Sequence, residues 1–135
     1  MTARYEEMRG TIEQIVKRIV EQYRPEKIFL FGSYVYGRPD AGSDVDLLIV
    51  KETSERPIDR RVTVRRIAHA SRRGLPFSPL VITPQELNRR LEVGDPFYRE
   101  IIDRGQVLYG PFLTRSSHPS GLQRPTRTFA RRNSY

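Results

Sequence analysis

The sequence contains no cysteine and only two histidines in 135 residues. The absence of cysteine excludes disulfides and thiolate metal sites, and fits a chain kept in the reducing cytoplasm. His69 and His118 are too isolated to build a histidine zinc site. No run of 18 apolar residues occurs, so no membrane span is expected. The opening Met-Thr-Ala-Arg-Tyr-Glu-Glu lacks the apolar core of a secretory signal. Acidic residues are missing from one stretch: Pro111 to Tyr135 holds five arginines (Arg115, Arg124, Arg127, Arg131 and Arg132) and no acid. This segment is rich in Pro, Ser, Thr and Arg and has little to bury, so it reads as a disordered tail. Residues 1–110 hold 19 bases against 16 acids, so most of the net +8 belongs to the tail. The chain therefore divides into a mildly basic domain over 1–110 and a basic tail over 111–135.

Within the domain, Ile12, Ile15, Val16, Ile19, Val20 and Tyr23 follow the spacing of an amphipathic helix that Pro25 ends. Gly10 leaves its start open to either side. Lys27–Phe31 reads as a strand, and the turn-rich residues 37–43 form a loop leading to a second strand over 44–50. A helix is expected over Ile58–Ser71 and a third strand over 76–82, where Pro79 marks an edge or a bulge. Thr83-Pro84-Gln85-Glu86 carries a helix cap, a first-turn proline and a glutamate three residues after the cap. Asp95-Pro96 starts a further helix that Gly105 closes, and Gln106–Tyr109 forms a last short strand. The order α-β-α-β-α-β-α-α-β predicts an α/β (α+β) domain, a mixed β-sheet with flanking helices.

The most specific chemistry lies between the first two strands. Gly32-Ser33 follows the first strand directly, and ten residues later Asp44-Val45-Asp46 begins the second. Strand residues alternate faces, so the two carboxylates share one side about 6.6 Å apart along the strand. Two acids at that separation can jointly hold divalent ions about 3.5–4 Å apart, as phosphoryl-transfer sites do. Magnesium suits such a site because it takes oxygen ligands and keeps water and phosphate in its shell. Gly32 lets the backbone approach a phosphate closely, with the Ser33 hydroxyl and the amides after it as donors. The apolar run Leu47–Val50 makes the acidic strand a buried one. Like charges at its start resist desolvation unless a cation compensates them.

The pattern Phe-Gly-Ser-x10-Asp-x-Asp-Leu-Leu-Ile-Val resembles the minimal nucleotidyltransferases of the DNA polymerase β superfamily. The resemblance runs from the first helix to about Tyr109, through Thr-Pro-Gln-Glu-Leu and the closing Gly-Gln-Val-Leu-Tyr-Gly. It implies a polymerase β-like fold and an ATP substrate held by Gly32, Ser33 and Ser43. It implies Asp44 and Asp46 as catalytic ligands of two Mg2+ ions, and transfer of AMP to a protein hydroxyl. Many small members pair with a HEPN-domain toxin and neutralise it by adenylylation, so the resemblance also implies an antitoxin with such a partner. The third family carboxylate lies five residues before the threonine of Thr-Pro; here that position is Ser78. Either the strand is misaligned and another acid (Glu52 or Asp95) substitutes, or catalysis is impaired while nucleotide binding persists.

Three alternatives stand beside this reading: a subunit that neutralises a partner by binding alone, an aminoglycoside-type transferase acting on a small molecule, and a nucleic-acid-binding module. The last rests on the arginines. Six of them fall between Arg60 and Arg73, with Arg61, Arg65 and Arg72 close together on a helical wheel. They read as a solvated basic face or as a surface for weak RNA contact. Tyr34 and Tyr36 either line the nucleotide pocket or pack on the sheet. Phe97, Tyr98, Ile101 and Ile102 read as core.

Overall fold

A computed structural model describes residues 3–111; the basic tail lies outside these. The element order is α1 (Ala3–Tyr23), β1 (Lys27–Phe31), α2 (Ser33–Tyr36), β2 (Val45–Val50), α3 (Pro57–Ala68), β3 (Phe77–Ile82), α4 (Pro84–Glu92), α5 (Pro96–Arg104) and β4 (Gln106–Tyr109). This is the expected α/β order. The four strands form one mixed sheet in the order β3-β2-β1-β4. β1 runs antiparallel to both β2 and β4, while β2 and β3 are parallel. Helix α1 starts well before Gly10 and passes through it. Helix α3 ends at Ala68 rather than Ser71, so Arg72 lies past the helix that carries Arg61 and Arg65.

Alternation along the strands divides the core in two. Ile28, Leu30, Val45, Leu47, Ile49, Phe77 and Val81 join Ile12, Ile15 and Ile19 of α1 and Val64 and Ala68 of α3. Phe29, Phe31, Leu48, Val50 and Ile82 form the other face, against Leu87 of α4 and Ile101 of α5. Asp46 and Ser78 belong by alternation to this second face, at the end that the apolar cluster leaves unfilled.

The arginine run of α3 is partly an internal structural device. Arg60 is buried, correcting the expectation of a solvated face there. Its guanidinium donates to Glu86 Oε1 at 2.8 Å and Oε2 at 3.2 Å, and to the Glu55 carbonyl at 2.9 Å. Glu86 also closes the capping box of α4: Thr83 Oγ1 accepts from the Glu86 amide at 3.1 Å, and Glu86 Oε1 accepts from the Thr83 amide at 3.0 Å. One carboxylate thus fixes the start of α4 and docks it onto α3. Because β3 is an edge, its outward carbonyls need partners. Arg61 Nε donates to the Pro79 carbonyl at 3.1 Å and Arg60 Nη1 to the Val81 carbonyl at 3.5 Å. Pro79 has no N–H to leave exposed.

Removing either member of the Arg60–Glu86 pair should therefore have unequal effects. Glu86→Ala leaves a buried guanidinium without its counter-charge and breaks the cap, and should cost about 3 kcal/mol. Arg60→Met removes the buried charge itself and should cost about 1–2 kcal/mol. Urea unfolding of the two variants measures the difference, and equal losses would contradict this account.

Candidate active site

β1 ends at Phe31, whose register partner across the antiparallel pair is Asp46. The chain then turns sharply at Gly32, with φ +77° and ψ −154°, a backbone conformation that L side chains rarely adopt. A Cβ on Gly32 would collide with Asp46 Oδ2 and lie 3.1 Å from Asp46 Cγ. The glycine requirement is therefore both conformational and steric. The single helical turn α2 follows, with the amides of Val35 and Tyr36 bonded to the Gly32 carbonyl at 3.0 and 3.1 Å. Ser33 is its first residue.

Asp44 is exposed just before β2, and Asp46 is half-buried within it. Burial, and secondly the charge of Asp44, push the Asp46 carboxyl up to about 6. The pair thus carries the unfavourable electrostatics that a bound cation relieves. Two oxygen donors at alternate strand positions, beside a backbone with no side chain in the way, fit magnesium. Asp44 and Asp46 are the residues that would hold it.

Directly across the parallel pair from Asp46 stands Ser78. At this register position beside Asp46 the chain offers a hydroxyl and no carboxylate. Neither proposed substitute joins the site. Asp95 caps α5, accepting from the Phe97 amide at 3.0 Å, and Glu52 lies beyond the opposite end of β2. Among the described residues no group of three His, Cys, Asp or Glu gathers that could hold a metal. The Ser43 hydroxyl sits in its loop, accepting from the Asp40 amide at 3.0 Å and donating to Asp40 Oδ1 at 3.3 Å.

The tyrosines after the turn divide. Tyr34 is fully buried in the α1–α3 core, with Arg4 Nε donating to its hydroxyl at 3.4 Å. Tyr36 stays beside the site: its hydroxyl is raised chiefly by burial, opposed by a hydrogen bond from the Gly32 backbone. The Arg104 guanidinium, bonded to Glu100 at 2.9 Å, lies 4.5 Å over the Tyr36 ring. Arg104 is a cation near the turn that sequence reasoning missed, because it comes from the last turn of α5, far along the chain. Phe97 was expected in the core and is instead 48% exposed, set edge-on against Phe31 at 5.7 Å and Tyr98 at 5.0 Å. It occupies the first turn of α5, which lies over the Phe31 end of β1. Its exposed ring face stands on the same side of the sheet as Asp46.

The raised Asp46 carboxyl has a defined consequence for stability. Its folded value, about 6, lies above the ordinary 3.8, so the native state binds the proton more tightly than the unfolded state. The ionised group therefore destabilises the metal-free protein above pH 6, and this penalty fades as pH falls from 6 towards 4. Asp46→Asn should stabilise the protein at pH 7.5 by about 1 kcal/mol, a figure discounted for a site half open to solvent. Unfolding in a chelator across this pH range should show the gain shrinking to nothing near pH 4. A pH-independent difference would contradict it.

The family model of the nucleotidyltransferase domain matches residues 12–108. Two proteins of Methanocaldococcus jannaschii, both provisionally named protein adenylyltransferases, are similar in sequence. One is 35% identical over 85 residues, covering 61% of this chain and 56% of its own length. The other is 28% identical over 100 residues, covering 73% of this chain and 94% of its own. The chain thus spans little more than half of the first relative. A crystal structure of a provisionally named nucleotidyltransferase from Sulfolobus solfataricus aligns at a TM-score of 0.47 with 23% identity, over 62% of this chain and 73% of that one. With the family model matched across both the Gly32–Ser33 turn and the Asp44–Asp46 strand, the chain belongs to the nucleotidyltransferase domain family.

Proposed function

We propose that the protein binds ATP with magnesium and transfers AMP to a hydroxyl group on a protein. The observation that carries this reading is the close approach of the Asp46 carboxylate to Gly32, which sets the acidic pair against the Gly32–Ser33 turn. Similarity to two proteins provisionally named protein adenylyltransferases supports both the nucleotide and the acceptor class. Asp44 and Asp46 would hold the magnesium, two ions by the family resemblance, which when bound neutralises triphosphate charge and polarises the reacting phosphorus.

The residues of the chain then have separate tasks. Gly32 admits the triphosphate against the backbone, and Ser33 donates its hydroxyl to a phosphate oxygen. Ser43, held on Asp40, keeps the preceding loop folded beside Asp44 and lies within reach of the nucleotide. Phe97 offers an exposed ring face for the base. The acceptor oxygen bonds to the α-phosphorus as the bond to pyrophosphate breaks. The acceptor proton finds no carboxylate at Ser78, so it passes to solvent or to a group of the acceptor protein, and turnover is slow. The family resemblance favours an antitoxin acting on a HEPN-type partner as the setting of this activity. A second reading, nucleotide-dependent masking of the partner without turnover, is favoured by the pairing of Ser78 with Asp46.

Incubation of the protein and a co-expressed HEPN-domain partner with radiolabelled ATP and Mg2+ separates the two. Slow labelling of the partner is expected, abolished by Asp44→Ala. Ser78→Asp should raise the rate by about 100-fold or more, the scale of a positioned base. If the label is absent from wild type and Ser78→Asp alike while ATP still binds, the masking reading replaces transfer.

A further inference from the structure

Lys27 opens β1 on the face covered by α4, at the end of the strand remote from Gly32. It is 7% exposed, and its Nζ is the one buried side-chain nitrogen or oxygen among the described residues that lacks a hydrogen-bond partner. The Phe29 ring, 5.9 Å from Nζ, offers a weak cation–π contact. Burial pulls the ammonium down to about 8, against the opposing charge of Glu26.

The residue type sharpens the point. The chain has 21 arginines and only three lysines, Lys17, Lys27 and Lys51. Here it places the compact ammonium, the only one of the two cations that can shed its proton when unpaired. Lys27 lines a cavity of about 330 Å³ whose walls include Val50, Leu87 and Leu91, with Glu26 and Asn88 as its other polar side chains. A single cation in an apolar cavity selects a ligand with one negative charge and an apolar body. Glu26 is exposed and lines the same cavity, so it repels a second negative charge and disfavours phosphates and diacids.

We propose that this cavity binds a small monocarboxylic acid, its carboxylate paired with Lys27 and its apolar chain against Val50, Leu87 and Leu91. The site is separate from the Gly32–Asp46 cluster and stands whether or not the nucleotide reading holds. Ligation restores the partner that the buried ammonium lacks, and a charge-assisted hydrogen bond of this kind is stronger than a neutral one.

The three lysines make the test direct. Protein isotopically labelled at lysine Cε gives three signals, and loss of one in Lys27→Met assigns it. Saturating hexanoate should raise the Lys27 midpoint by about one unit and leave Lys17 and Lys51 where they were. Hexanol, matched in length but uncharged, should bind at least about tenfold more weakly. Lys27→Met should remain folded, lose hexanoate binding and keep its binding of ATP. An unmoved Lys27 signal, an equal shift at all three lysines, or equal affinity for hexanol would each overturn the proposal.

Discussion

The Asp46 carboxylate lies against the α-carbon of Gly32 so closely that no side chain fits between them. That contact fixes the geometry around it. β1 and β2 must be paired with Phe31 opposite Asp46 for the two groups to meet. The chain must then leave the sheet at once, in a conformation open to glycine, and resume as the short turn α2. The apolar residues that follow Asp46 anchor β2 so that its acidic start cannot slide. A shift of one residue would turn both aspartates into the α1–α3 core, where no cation or solvent could compensate them.

The same packing creates an electrostatic tension that the apolar faces must offset. Asp46 is drawn out of water beside a second carboxylate, and its proton affinity rises accordingly. On the proposed function this tension has a use, because the groups that resist folding when unliganded are the groups that would hold magnesium and nucleotide. Stability and function therefore oppose each other at one side chain, and the large buried clusters on both sheet faces provide the margin.

Much of this was legible in sequence because it is local. The two-residue spacing of Asp44 and Asp46, the turn at Gly32-Ser33 and the capping box from Thr83 to Glu86 each declare themselves within a few positions. The sheet pairing sets Ser78 beside Asp46, a neighbour relation that spacing alone had left open. What sequence could not show depends on distant partners. Arg60 looked like one more surface arginine because Glu86 is 26 residues away. Phe97 fitted an apolar helical face, yet its place in the first turn of α5, against Phe31, leaves 48% of it open to solvent. Tyr34 and Tyr36 were indistinguishable until α1 covered one and Arg104 the other. The isolation of Lys27 is a property of its surroundings and leaves no trace in any motif.

The two edges of the sheet differ in a way that bears on association. At β3, Pro79 lacks a donor and the Pro79 and Val81 carbonyls are already occupied by Arg61 and Arg60. At the other edge, β4 is a regular four-residue strand paired with β1 on its inner side. In polymer terms the described residues are monofunctional: with the β3 carbonyls capped, backbone pairing would extend the sheet at β4. Among the described residues, two such sheets joined through β4 would present capped β3 edges at both ends, which favours a closed pair over a fibre.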